Sequence, residues 1–362
     1  MNELNKIISD KINELKKTLP ELILEKHLNL QPKLKAVYTE RHRRLYLENT
    51  WFHLSYLAGS IFADEPVLFT EYISWAKTFF STLPIDENDI ILNLELIRDS
   101  LETILEPDLY EITLKYINAG IEIFKSHNVI PVSFINDSNP LSVLANKYLS
   151  FLIKGNKQAA LNIILETIEA GTPLKDIYLN VFQETQKETG RLWQLSKITV
   201  AQEHFITAAT QLIMAQLYTY LFTSEKKNKT IIVSCVQGEL HEIGARMVAD
   251  LFEMDGWNSY YFGANTPNSS ITKAIEIYRP DILAISATMT YNLSAVSELI
   301  ERIRKNPNIN YVKIMAGGYP FNLAADLWQN MGADGSARNA PEAIQLASTL
   351  LQQPGVYNDL HK

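Results

Sequence analysis

One cysteine in 362 residues, Cys235, excludes a disulfide framework and suits a reducing cytoplasm. Long apolar runs are missing as well: none approaches the roughly 18–20 residues that cross a bilayer. The opening Met1-Asn-Glu-Leu-Asn-Lys6 is too polar for a signal peptide, so a cytoplasmic protein without a membrane partner is expected. Positive charge is also in deficit. Thirty-three basic against 41 acidic residues leave a net charge of −8, which argues against direct nucleic-acid binding. The chain has no phosphate-cradling glycine loop, its N-terminal region carries no catalytic constellation, and no signalling-enzyme segment follows residue 353. An enzyme is therefore not expected. The length does allow two or three domains with sizeable cores.

What is present divides into three regions: 1–138, 139–225 and 226–362. The last alternates strand and helix. Strands read at 230–236, 258–262, 281–287, 311–316 and 333–336, and helices at 242–255, 268–278, 291–305, 320–330 and 340–352. Near-continuous apolar runs such as Ile231-Ile-Val-Ser-Cys-Val236 belong to parallel strands covered on both faces. The middle region has apolar residues at helical spacing over Leu141–Ile153, Lys157–Ala170, Leu174–Gly190 and Val200–Leu221, which predicts a four-helix bundle. The first region reads as helix at 2–18, 20–29, 31–60, 66–82, 87–105 and 107–126. The expected class is α plus α/β: an all-helical N-terminal domain, a four-helix bundle, and a Rossmann-like five-stranded parallel sheet.

One loop stands out. In Val236-Gln-Gly-Glu-Leu-His-Glu-Ile-Gly-Ala245, His241 follows the first strand at its carboxyl end, where open α/β sheets bind ligands. Glu239 can accept the proton of one ring nitrogen, fixing the tautomer and leaving the other nitrogen to ligate a metal. Gly244 permits close approach by a bulky group. The same residues also suit a hydrogen-bonded boundary histidine. Ser286 and Thr288 follow the strand Asp281–Ile285, and Gly317-Gly318 follow Tyr311–Ala316, so all three motifs share one sheet edge. Glycines after strands also serve ordinary turns.

Glu239-Leu-His-Glu-Ile-Gly244 resembles the Asp-x-His-x-x-Gly signature of cobalamin-binding domains, with Glu for Asp. The later Ser286-Ala-Thr288 and Gly317-Gly318 match that family's pattern in order. The resemblance, over about 228–353, implies that His241 replaces the cofactor's own base as the lower cobalt ligand and that Glu239 orients it. Ser286 and Thr288 would contact the nucleotide tail, for which Gly317 and Gly318 make room.

A second pattern lies in the bundle. Trp193 is followed after nine residues by Glu203-His204. Alone, these suit a core tryptophan and a surface pair. Together they resemble the Trp-x9-Glu-His pattern of light-sensing adenosylcobalamin proteins, over some 200 residues of bundle and cobalamin domain. That resemblance implies Trp193 against the adenosyl group, Glu203 and His204 on the upper face, and a photolysed cobalt–carbon bond driving a light-dependent change of homo-oligomer or conformation. An unidentified downstream signalling partner would read it. Where some relatives have a histidine after the tryptophan, this chain has Gln194.

The N-terminal region lacks the winged-helix pattern of repressor relatives. Its arrangement resembles the photocobilins, whose helical domain holds biliverdin near the cobalamin. On that resemblance Arg41, Arg43 and Arg44 would meet propionates, and Tyr46, His53, Tyr56 and Trp75 would line a non-covalent bilin. A solvated basic face and an apolar helix stripe give the same residues. Two further functions remain open: a methylcobalamin carrier for a methyltransferase system, and a cobalamin-responsive regulator.

Overall fold

Prolines and short polar residues set where the N-terminal helices begin. Helix α1 (Glu3–Leu15) is followed by α2 (Leu19–Leu30), α3 (Pro32–Lys35), α4 (Glu40–Ala63), α5 (Pro66–Phe80), α6 (Glu87–Ile104) and α7 (Pro107–Lys125). Pro20, Pro66 and Pro107 occupy first turns, where a missing N–H costs nothing. The helix expected over 31–60 is two helices, because Thr39 caps α4 reciprocally. Its hydroxyl accepts from the His42 N–H (3.4 Å), while His42 Nδ1 accepts from the Thr39 N–H (3.2 Å). The core between these helices holds Ile8, Ile12, Leu54, Leu57, Ile61, Phe69, Ile73, Leu94, Ile117 and Phe124. Each such side chain contributes roughly 1.5–3 kcal/mol on burial.

The bundle comprises α8 (Ser142–Ile153), α9 (Lys157–Glu169), α10 (Leu174–Ile177), α11 (Gln183–Gln194) and α12 (Val200–Gln216). The helix expected at 174–190 departs from that expectation twice. A π turn over Tyr178–Phe182 interrupts it, bringing Tyr178, Val181 and Phe182 into the core together. It also runs past Gly190, whose surroundings are open, to Gln194. There Ser196, at φ 53°, ends it in a Schellman pattern: the Lys197 N–H reaches the Leu192 carbonyl (2.8 Å) and the Ser196 N–H reaches that of Trp193 (2.9 Å). Trp193 therefore sits in a helix rather than in a loop.

The sheet has β1 (Thr230–Cys235), β2 (Asn258–Tyr261), β3 (Ile282–Ser286), β4 (Lys313–Gly317) and β5 (Gly335–Ser336), all parallel, in the order β2-β1-β3-β4-β5. Between them run α13 (Ile243–Met254), α14 (Asn268–Tyr278), α15 (Leu293–Lys305), α16 (Tyr319–Leu323) and α17 (Leu327–Asn330), with α18 (Ala340–Gln352) last. β4 starts two residues later than expected. Tyr311 is excluded from the ladder, its ring lying 5.6 Å from the Arg279 guanidinium, and the Val312 N–H turns back to Ile309. The helix expected at 320–330 is split between α16 and α17, where Ala324 and Leu327 sink into the core.

The computed structural model describes residues 3–36, 38–126, 130–221 and 225–352. Residue 2, the start of the first expected helix, and the stretch after residue 353 lie outside these. Contacts group the described chain into two units. One is α1–α7 with segments 287–298 and 319–332; the other holds the bundle and the remainder of the sheet region. Among the described residues no helix is long and apolar enough to cross a membrane.

Candidate functional site

Because the strand order is 2-1-3-4-5, the connections from β1 and β3 leave on opposite faces, opening a crevice at their carboxyl ends. The backbone closes its rim: the Val236 N–H donates to the Ser286 carbonyl (3.2 Å), and Ser286 pairs in register with Cys235 and Gly317. The loop from Val236 to Glu242 is shaped by Gly238 at φ 87°, whose N–H donates to Asn265 Oδ1 (2.8 Å). The Asn265 N–H in turn donates to the Glu239 carbonyl (2.8 Å).

The Glu239 side chain is fully buried, whereas that of His241 is 57% exposed. One carboxylate oxygen accepts both the His241 backbone N–H (2.9 Å) and its ring Nδ1–H (2.6 Å). Nε2 is thereby left as the lone-pair nitrogen at the exposed end of the ring. The longer arm of Glu relative to Asp curls back to make both bonds. Its hydrogen bond raises the proton affinity of His241, burial opposes this, and the charge of Glu203 adds to the rise.

Glu203 belongs to a row on α12 with Thr207 and Gln211, four residues apart and hence on one face. The Thr207 hydroxyl lies 2.9 Å from Gln186 Oε1 and 3.3 Å from Glu203 Oε1. Gln186 and the Tyr148 hydroxyl both reach Thr210, each at 3.0 Å. Gln211 Nε2 donates to Glu242 Oε1 (3.0 Å), and Glu242 Oε2 accepts from the Tyr261 hydroxyl and the Ala264 N–H, both at 3.0 Å. The bundle is thus latched to the residue beside His241. His204 is 76% exposed and bonded to Glu203 through Nδ1. Trp193 packs half-buried on the bundle core, and Gln194 is buried. Sequence reasoning missed Gln211, Glu242 and Tyr261 as parts of this site. Only Glu242 had a local clue, lying inside the motif.

Around the crevice, a Cβ added at Gly244 would meet nothing within 4 Å, and one at Gly317 only the Ala337 carbonyl at 3.8 Å. Gly318 requires glycine for its φ of 110°. Ser286 ends β3 as expected, while Thr288 belongs to the segment grouped with α1–α7.

The residues named for a bilin lie on α4 and α5. Arg43 pairs with Glu21 (2.5 Å), and Arg41 and Arg44 are exposed. Tyr46 bonds to His27 Nδ1 (2.9 Å). His53 is buried, 2.9 Å from the Tyr72 hydroxyl, and burial pushes its pKa down to about 4. Tyr56 stacks on Tyr72 with centroids 3.8 Å apart, and Trp75 lies half-exposed against Phe79. The nine residues from Arg44 to His53 span about 14 Å of helix, so the arginines and the aromatic cluster occupy different parts of α4.

Residues 229–345 match the B12 binding domain family, and 144–218 match a second profile of the same description. Dimethylamine corrinoid protein 2 of Methanosarcina mazei is 30% identical over 165 residues, which are 45% of this chain and 74% of that protein. This chain belongs to the B12-binding corrinoid protein family. Dimethylamine corrinoid protein 3 of Methanosarcina acetivorans is 28% identical over 196 residues, covering 52% of this chain and 89% of the relative. The structure of the Methanosarcina barkeri monomethylamine corrinoid protein superposes with a TM-score of 0.52 at 23% identity, over 58% of this chain and 99% of that one, which supports the fold.

The residues present fit a corrinoid. Among the described residues no three His, Cys, Asp or Glu side chains gather as a metal-ligand set. A single oriented imidazole beside open glycines suits a metal that arrives with its equatorial ligands already in place.

Proposed function

We propose that this protein is a corrinoid carrier rather than an enzyme. It holds a cobalamin through His241 Nε2 and offers the upper axial ligand to a methyltransferase-type partner. The observation that carries this reading is the Glu239–His241 pair set in a two-part architecture of bundle and sheet. The sequence over these two parts aligns with that of a dimethylamine corrinoid protein along 89% of that relative's length. When bound, a cobalamin supplies a cobalt whose upper face carries a labile carbon ligand. The protein's own part is to orient the imidazole, to fix its tautomer through Glu239, and to hold Glu203 and His204 on α12 by the Gln211–Glu242 latch.

A second reading, a light sensor loaded with adenosylcobalamin and biliverdin, is favoured by one feature of the bundle. Trp193 lies at the end of α11 and Glu203-His204 near the start of α12, with Glu203 in electrostatic reach of His241. On this reading the upper-face residues hold an adenosyl group, and its photochemical loss changes self-association.

One experiment separates the two. The protein is loaded in the dark with methylcobalamin or with adenosylcobalamin plus biliverdin, and absorption and mass are recorded before and after illumination. The carrier reading expects retention of the methyl form and no light-dependent change in mass. Preference for the adenosyl form with a light-driven mass change would overturn it in favour of the sensor. The histidine-ligated spectrum should vanish in His241→Ala.

A further inference from the structure

A thread of polar side chains runs through the bundle and ends at Glu203. It begins at Tyr148 on α8, which is fully buried against Phe182. Burial pushes the pKa of the phenol up, which keeps its hydroxyl a donor. That hydroxyl donates to Thr210 Oγ1 on α12 (3.0 Å), itself fully buried. Thr210 Oγ1 also accepts from Gln186 Nε2 on α11 (3.0 Å), and the other end of that carboxamide, Oε1, accepts from the Thr207 hydroxyl (2.9 Å). Thr207 lies in turn 3.3 Å from Glu203 Oε1, while His204 Nδ1 is bonded to Oε2. Helices α8, α11 and α12 meet in this thread.

Stability does not explain it. Replacing both partners of a buried hydrogen bond by apolar groups of the same shape is close to neutral, and the same core already holds Ile164, Ile206 and Ile213. What the thread supplies is position. A carboxylate on a helix rim samples several rotamers, and ordering it has an entropic cost. Thr207 stands one turn behind Glu203 on the same face, and Gln186 ties Thr207 to groups that are themselves fully buried. The held carboxylate faces the site. Gln211, on the same face of α12, bonds to Glu242 next to His241, and the charge of Glu203 is felt at the His241 ring. The space beside it is open. With α11 and α12 antiparallel and Gln186 against Thr207, Gly190, one turn further along α11, falls opposite Glu203. A Cβ placed there would meet nothing within 4 Å. Glycine within a helix costs stability, and neither its φ nor crowding requires it at this position. Room for a group that the fold does not itself fill accounts for it.

We infer that Thr207 and Gln186 are positioning residues that set which upper axial ligand the bound cobalamin prefers. They hold the Glu203 carboxylate as a fixed acceptor beside the open space at Gly190. A cofactor whose upper ligand carries O–H donors is therefore bound more tightly than one whose upper ligand carries none. The inference rests on the cobalamin reading above and adds to it a preference between forms of the cofactor.

The test is a double-mutant cycle read with two cofactors on the full-length protein: aquacobalamin, whose upper ligand is water, and methylcobalamin, whose upper ligand has no donor. Affinities are measured by absorbance titration in the dark for wild type, Thr207→Val, Glu203→Ala and the two changes combined. Thr207→Val should weaken aquacobalamin about tenfold relative to methylcobalamin, the worth of one hydrogen bond to a charged group. In the Glu203→Ala background it should leave that ratio unaltered, because the hydroxyl acts only through the carboxylate. Thr207→Ser, which keeps a hydroxyl, should restore the wild-type ratio, and Gln186→Leu should shift it in the same direction as Thr207→Val. An unchanged ratio in Thr207→Val overturns the inference, as does a change that persists without the Glu203 carboxylate. A loss shared equally by both cofactors, which is what a purely structural thread would give, overturns it too. Should Thr207→Val fail to fold, Gln186→Leu decides by the same ratio and the same cycle. A wild-type chain that binds neither cofactor overturns the cobalamin reading and this inference with it. Wild type binding both, with a ratio indifferent to Thr207, overturns this inference alone.

Discussion

One carboxylate oxygen of Glu239 serves both the backbone N–H and the ring Nδ1–H of His241, at 2.9 and 2.6 Å. The loop conformation and the ring orientation are therefore set by the same buried charge. Removing it unties both at once.

Glu239→Ala should accordingly weaken cobalamin binding about 10- to 100-fold, the usual effect of deleting a residue that orients a metal-ligating histidine. The spectrum of whatever cofactor remains bound should lose its histidine-ligated character. Far-UV circular dichroism checks that the fold survives, and an equilibrium titration reads the affinity. Unchanged affinity would show that the imidazole finds its orientation without the carboxylate.

The latch between bundle and sheet makes a smaller demand. Gln211→Ala deletes the bond to Glu242 Oε1 but leaves Oε2 with its Tyr261 and Ala264 partners. The loss should be about 1 kcal/mol in a urea unfolding experiment on the cofactor-free protein. A larger drop would mean that α12 depends on this bond for its packing. No drop at all would remove the latch from the account.

Much of the sheet edge was legible because its signals are local. His241, Ser286 and Gly317 each follow a buried apolar run, and a strand's carboxyl end is readable from a few neighbouring residues. The Gln211–Glu242 bond joins residues distant in sequence, and nothing near either one announces the other. The end of α11 was hidden for a different reason. Ser196 takes the left-handed position usually given to glycine, while Gly190, which looked like the break, is simply helical. The aromatic stripe of α4 fits a chromophore pocket and a helix core equally well, and its contacts with Tyr72, made by His53 and Tyr56, depend on a second helix that no residue of the stripe announces.

That core histidine gives the N-terminal helices an acid sensitivity. Burial lowers the pKa of His53 from its ordinary value of 6.5 to about 4, so the native state binds fewer protons than the unfolded state between those values. Its contribution is fully present above pH 6.5 and is lost as the pH falls toward 4, to an extent of roughly 3 kcal/mol. Urea midpoints measured across this window should fall with acidification in the wild type and fall less in His53→Gln. Parallel curves would place the titrating group elsewhere.

The upper face decides between carrier and sensor, and Trp193 is the residue through which to ask. It sits in the last turn of α11, half-buried on the bundle core, with its helix end held by the Ser196 turn, so truncating it should leave the Glu239–His241 pair intact. If the ring packs against an adenosyl group, Trp193→Ala removes that contact and leaves a cavity worth several kcal/mol. Adenosylcobalamin affinity should then fall at least about tenfold, while methylcobalamin, too small to reach the ring, binds as before. If the protein is a methyl carrier, the variant should bind both forms as the wild type does and differ only in stability. The ratio of the two affinities is the quantity to measure, because it cancels any shared loss of folded protein. A selective loss of the adenosyl form would favour the sensor even without knowledge of its output.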